Sequence, residues 1–166
     1  MNNLSFHITD ITANSIRANA SEIGLSVEEQ DTRIVIRITD NGSGMDAETA
    51  RRVTNPFYTT RTTRKVGLGL PFLIQNAEQT GGSVTLTSEP GKGTEVRAVF
   101  HSDHIDCPPW GDLPGTVALL ITGNPEINVC FEYRSGETGY SISTNEIKEI
   151  LDGVPLSYPK VMLLIK

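Results

Sequence analysis

The sequence holds two cysteines, one tryptophan and no long apolar run. Cys107 and Cys130 stand far apart and form no CxxC or Cys/His pattern, which argues against a disulfide framework or a zinc site and points to a reducing compartment. The longest apolar runs, VALLI at 117–121 and VMLLI at 161–165, fall far short of the ~18 residues that span a bilayer. Polar residues follow Met1, with no signal-peptide pattern, so a soluble cytoplasmic protein without a membrane segment is expected. A basic excess is missing too. The formal net charge is −6, with ten Lys/Arg against eleven Asp/Glu in residues 1–100 and four against nine in 101–166. Without a broad basic stripe, nucleic acid is not expected as a partner. No internal repeat is present. At 166 residues the chain has room for one domain and an appendage, with a core that needs no staples.

What is present reads as alternating helices and hairpins. Leu4, Ile8, Ile11, Ser15 and Ala18 recur at helical spacing and predict a helix over about 3–19. EIGLSVEEQ (22–30) and TRIVIRITD (32–40) alternate apolar and polar positions, as antiparallel strands joined by a polar turn do. DNGSGM (40–45) is a glycine-rich turn, and DAETARRVTN (46–55) a short helix capped by Asp46. A basic loop follows, then a helix from about Leu68 to Thr80 stopped by Gly81–Gly82. GSVTLTSEP and GTEVRAVFH are two more strands joined by the turn EPGKG (89–93). The order implies an α+β two-layer sandwich, with helices on one face of a mixed or antiparallel sheet. DCPPWGDLPG (106–115) marks a boundary, separating residues 1–102 from a C-terminal extension over 103–166. In the extension we expect an αββα order: a helix at 113–122, strands near 127–133 and 138–143, and a helix capped at Thr144 or Asn145. A last helical run begins near 159.

Three segments share one chemistry. Asp10 and Asn14 are four apart and occupy one helix face, with Arg17 nearby; a carboxylate and an amide oxygen suit Mg²⁺, which keeps several waters and phosphate oxygens. In D-x-G-x-G at 40–44, Asp40 supplies an acceptor that an adenine amino group would satisfy, while Gly42 and Gly44 admit a ligand to the backbone. V-G-L-G-L at 66–70 leads into a helix whose first amides suit an anion. The cations Arg61, Arg64 and Lys65 lie just before it, in NPFYTTRTTRKVGLGL.

Together and in this order the segments resemble the GHKL (histidine kinase-like) ATPase superfamily, and the sensor histidine kinase branch in particular. DITANSIRA (10–18) matches its N box, DNGSGM its G1 box, NPFYTTR (55–61) its F box and VGLGL its G2 box. GKGTEVRAVF (91–100) fits the last glycine-threonine box. The likeness covers about residues 4–100 and implies the Bergerat ATP-binding fold, with ATP and Mg²⁺ as cofactors. It assigns Asn14 to Mg²⁺, and Asp40 with Thr94 to the adenine. Gly42, Gly44, Met45, Gly67, Leu68, Gly69 and Leu70 line the nucleotide's path. Arg17, Phe57, Thr60, Arg61 and Lys65 belong to phosphate contacts and a short lid. Asp10 takes the place of the general-base glutamate in hydrolysing branches. It is one methylene shorter, which implies weak intrinsic hydrolysis, because a base must come within about 3 Å of its water.

The implied function is a two-component-type kinase: a catalytic unit that transfers the γ-phosphate to a separate protein partner. His7 sits on the nucleotide helix and not in a helical hairpin, and His101 and His104 lie in a link, so none is expected to be the phosphoacceptor. The alternatives are an ATP-responsive module with little turnover, and an anti-sigma-type serine kinase, which the F box disfavours. The strand that usually precedes the N box is missing, so the hairpin of 127–143 is expected to cover or extend a sheet edge. The acidity and apolar helix ends of the extension point either to a docking or homodimer surface or to a structural cap.

Overall fold

Strict alternation in the first two strands sends every second side chain to one side. Ile23, Leu25 and Val27 of β1 (Glu22–Gln30) and Ile34, Ile36 and Ile38 of β2 (Arg33–Asp40) are all at most 4% exposed. The computed structural model describes residues 3–54 and 69–151. Around this pair run α1 (Leu4–Arg17), α2 (Ala47–Thr54), α3 (Gly69–Gln79), β3 (Ser83–Glu89) and β4 (Gly93–His101). The extension supplies α4 (Leu113–Thr122), β5 (Asn128–Ser135), β6 (Thr138–Ser143) and α5 (Thr144–Leu151). The expected αββα order is therefore present, while the run from about 159 lies outside the described residues.

The six strands form one sheet in the order β3-β4-β2-β1-β5-β6. Every pairing is antiparallel except β1 with β5, which runs parallel from Glu22↔Asn128 to Glu29↔Ser135. The hairpin of the extension thus lengthens the main sheet at the β1 edge, which would otherwise carry unpaired amides. Helices pack on the face bearing the isoleucines, and the apolar side chains of both segments merge into a single core. The opposite face is polar. Thr85, Arg97, Arg37, Ser26, Glu132 and Ser141 make one row across it, and Arg37 pairs diagonally with Glu95 at 3.0 Å. Such a face tolerates water, as an antiparallel two-layer sheet permits.

Helix α1 buries the stripe Leu4, Ile8, Ile11 and Ser15. Its first amides, which no helical carbonyl can reach, are all engaged. Asn3 Oδ1 accepts from the Phe6 amide at 2.7 Å. The amides of Leu4 and Ser5 donate to the carbonyls of Pro109 (2.8 Å) and Trp110 (3.0 Å). The proline-rich link therefore lies across the start of the helix. Trp110 Nε1 in turn donates to Glu29 Oε1 at 2.7 Å, and the Tyr133 hydroxyl donates to Glu29 Oε2. One carboxylate at the end of β1 thereby ties the link and β5 to the central sheet.

Some boundaries and caps differ from expectation. Helix α1 ends at Arg17, and Asn19 turns the chain with a φ of +62°. At α5 the cap is neither Thr144 nor Asn145. The Glu146 amide donates to Ser143 Oγ at 3.2 Å, while the fully buried Thr144 Oγ1 accepts from the Val129 amide at 2.9 Å and stitches the helix to β5. Asp46 does cap α2, accepting from the Thr49 amide at 2.7 Å.

His7 points from α1 toward α3, 1% exposed, beside the rings of Phe72 and Phe100. Its Nε2 lies 2.8 Å from Asn76 Nδ2, and its Nδ1 has no hydrogen-bond partner among the described residues. Burial lowers its pKa from 6.5 to about 4.

Two outcomes follow from these contacts. Replacing Glu29 by Ala leaves two donors without their carboxylate. It should lower unfolding stability by about 1–3 kcal/mol in urea titrations followed by Trp110 fluorescence; an unchanged midpoint would show that the clamp contributes nothing. For His7, the unfolded chain takes up a proton near pH 6.5, whereas the folded chain resists until about pH 4. Stability should therefore be retained above pH 6.5 and fall as pH drops toward 4, by about 3 kcal/mol in full. In His7→Leu the same titration should be flatter across that window.

Candidate functional site

The sheet register builds one end of a cavity. Asp40 and Thr94 are direct partners across β2 and β4, and Thr94 is the direct partner of Ser88 across β4 and β3. Two residues further along, the same face carries Ile38, Val96 and Leu86. Polar groups therefore form the rim row and branched apolar side chains the floor. Above them lies α1, whose Ile11, Asn14 and Arg17 face the same space, and Leu70 of α3 and Met45 close the side. The cavity volume is about 170 Å³.

Asp40 is held at both oxygens. Ser15 Oγ, from α1, donates to Oδ2 at 2.7 Å, and the Gly42 amide donates to Oδ1 at 2.9 Å. Opposite, the hydroxyls of Thr94 and Ser88 lie 2.8 Å apart, and Ser88 Oγ also accepts from the Met45 amide at 2.8 Å. The turn carrying Gly42 and Gly44 is anchored on two sides. The Ser43 amide donates to the Ala18 carbonyl at 3.0 Å, and the Ser43 carbonyl accepts from Gly91 at 2.7 Å. Gly44 has a φ of +72°, and a Cβ there would fall on the Glu89 carbonyl. Only glycine lets the turn lie so close to the β3–β4 hairpin.

Asn14 Oδ1 accepts from the Arg17 guanidinium, so the amide oxygen and the cation are adjacent in the cavity wall. Asp10 sits elsewhere. Among the described residues it is not one of those lining the cavity, and it packs against the first residue of α3, where a Cβ on Gly69 would come within 2.7 Å of Asp10 Cβ. Burial raises its pKa, and Arg17 opposes the rise. Among the described residues no group of three or more His, Cys, Asp or Glu could hold a metal ion, and no helix is long and apolar enough to cross a membrane.

The structure thus brings together Asn14, Arg17, Asp40, Gly44, Met45, Leu70 and Thr94 around one space, with Gly42 behind Asp40 and Gly69 behind Asp10. Phe57, Thr60, Arg61, Arg64, Lys65, Gly67 and Leu68 lie outside the described residues. Sequence reasoning missed Ser15 and Ser88. Ser15 had a signal: it is a hydroxyl on an otherwise apolar stripe, and a buried hydroxyl needs a partner. Ser88 had none, because its role depends on the register of three strands.

Residues 3–104 match the family described as histidine kinase-, DNA gyrase B- and HSP90-like ATPase. Over 104 residues the chain is 29% identical to the sensor histidine kinase YxdK of Bacillus subtilis, a stretch that is 58% of this chain and 32% of that one. Over 101 residues it is 30% identical to sporulation kinase C of Bacillus subtilis (60% of this chain, 23% of that one). It is also 34% identical over 91 residues to the sensor kinase CckA of Brucella abortus (54% and 10%). The matched stretch therefore spans no more than about a third of any of these relatives. Among solved structures, the N-terminal domain of a DNA repair protein superposes with a TM-score of 0.61 at 18% identity, covering 85% of this chain and 51% of that one. The Aquifex aeolicus MutL ATPase domain complexed with ADP gives 0.53 at 16%, covering 92% and 70%. These two likenesses concern the fold. From the match over residues 3–104 and the sensor kinases that share it, the chain belongs to the histidine kinase-, DNA gyrase B- and HSP90-like ATPase family, in its histidine kinase branch.

Proposed function

We propose that the protein binds Mg-ATP in the cavity between α1 and the β2–β4 pair and passes the γ-phosphate to a phosphoacceptor on a separate protein partner. The observation that carries this is the pairing of Asp40 with Thr94 at the sheet rim, facing Asn14 and Arg17 across an apolar floor. The Asp40 carboxylate in the rim row suits a purine amino group, and Ile11, Ile38 and Val96 suit its ring. The polar groups on α1 then fall toward the phosphate end. Asn14 offers the hard oxygen donor that Mg²⁺ prefers. With no cluster of three or more metal-binding side chains among the described residues, the ion would arrive with the triphosphate and neutralise charge on its oxygens. Arg17, beside Asn14, adds a fixed positive charge on the same side.

Asp10 favours low intrinsic turnover. It is a short carboxylate packed under Gly69, outside the cavity wall, and a hydrolysing enzyme needs a base within reach of water. We read this as support for transfer to a partner or for nucleotide-responsive binding, and not for a fast ATPase. The exposed Tyr140 and Ile150 support the extension as the docking or homodimer surface.

Calorimetry with a non-hydrolysable ATP analogue tests the core of this proposal. Binding should be tighter with Mg²⁺, and Asn14→Ala should remove most of that difference, weakening Mg-dependent binding by about tenfold, or about 1.4 kcal/mol, with an unchanged melting curve. No binding at millimolar nucleotide would refute the proposal. Transfer of labelled γ-phosphate to copurifying proteins, giving an acid-labile product, is the outcome expected of a histidine kinase; an acid-stable product would indicate a hydroxyl acceptor.

A further inference from the structure

The hydrogen bond from Ser15 to Asp40 has a functional consequence of its own. We propose that Ser15 is a positioning residue that sets which purine the cavity accepts, by holding the Asp40 carboxylate as a fixed acceptor for a base bearing an amino group. This rests on the assignment of the cavity to a purine nucleotide.

Ser15 is 2% exposed and stands on the stripe of α1 otherwise occupied by Leu4, Ile8 and Ile11. A hydroxyl buried there costs stability unless paired, and its partner is Asp40 Oδ2 on a different element, at 2.7 Å. The Gly42 amide takes the other oxygen at 2.9 Å. Two donors on two oxygens, one from a helix and one from the turn, fix the rotation of the carboxylate about Cβ–Cγ. Each oxygen of an ionised carboxylate accepts about two hydrogen bonds. Acceptor capacity therefore remains on Asp40, which lines the cavity. A carboxylate already accepting at both oxygens presents acceptors, not a donor, to the cavity. It suits an exocyclic amino group and opposes a carbonyl oxygen at the same ring position. Without the Ser15 hydroxyl one of the two restraints is gone, and the carboxylate can turn away from the orientation that discriminates.

The test measures Kd of the full chain for ATP and for ITP, with Mg²⁺, in wild-type, Ser15→Ala and Ser15→Cys proteins. Inosine carries an oxygen where adenosine carries the amino group. The wild type should prefer ATP by on the order of a hundredfold. Ser15→Ala should weaken ATP about tenfold while changing ITP by less than about twofold, so that the preference shrinks at least about fivefold. Ser15→Cys fills the same space with a poor donor and should lose preference likewise, which decides the matter if the alanine variant does not fold. Equal weakening of both nucleotides, with the preference intact, would overturn the proposal and leave Ser15 a packing residue. A wild type that binds neither nucleotide would instead overturn the purine assignment itself, and this inference with it.

Discussion

Everything at the site depends on the antiparallel register of β2 with β4, in which Asp40 faces Thr94. Because side chains alternate, that pairing sends Ile38, Val96, Ile36 and Ala98 to the same face and supplies the apolar floor in the same step. A slip of one residue would send the isoleucines to the polar side and carry Asp40 away from the helices. Cavity and core are consequently not separate demands on this sheet. The rim is where the alternation stops needing apolar residues, and Asp40, Thr94 and Ser88 occupy that row. Helix α1 uses the same economy. Its stripe is apolar at Leu4, Ile8 and Ile11 and turns polar at Ser15, where the floor gives way to Asp40.

Much of this was legible from residue patterns. Alternation in 22–40 and 83–101 marked four strands, and the D-x-G-x-G turn with the downstream Gly-Thr identified the residues that meet at the rim. Local chemistry was sufficient there because each signal sits inside one element or one turn. It failed where two elements decide together. Ser143 and Thr144 are neighbouring hydroxyls, and only the approach of β5 determines that Thr144 serves Val129 while Ser143 caps α5. The parallel seating of β5 on β1 is likewise a tertiary choice, although the bare edge of β1 indicated that something should lie there. Asp10 illustrates the opposite case. Its spacing from Asn14 was correct for a shared face, yet the close approach of Gly69 puts it under the start of α3.

The extension is more deeply integrated than its distinct composition implies. It adds two strands to the sheet, contributes Val117, Ile121, Val129 and Phe131 to the same core, and is fastened by Glu29 through Trp110 and Tyr133. The residues matching the ATPase family end near 104, but the hydrophobic interior does not. The family match thus covers residues 3–104, and the physical unit extends further along the chain.

The placement of Pro109 and Trp110 over the first turn of α1 gives that integration a direction. Their carbonyls take the place of the missing previous turn for Leu4 and Ser5, so the helix that carries Ser15 and Asn14 starts on a borrowed cap. The extension is thereby joined to the cavity wall by a second route besides the β1–β5 pairing, because α1 also carries Asn14 and Ser15. The link is thus part of the frame that seats the helix facing the cavity.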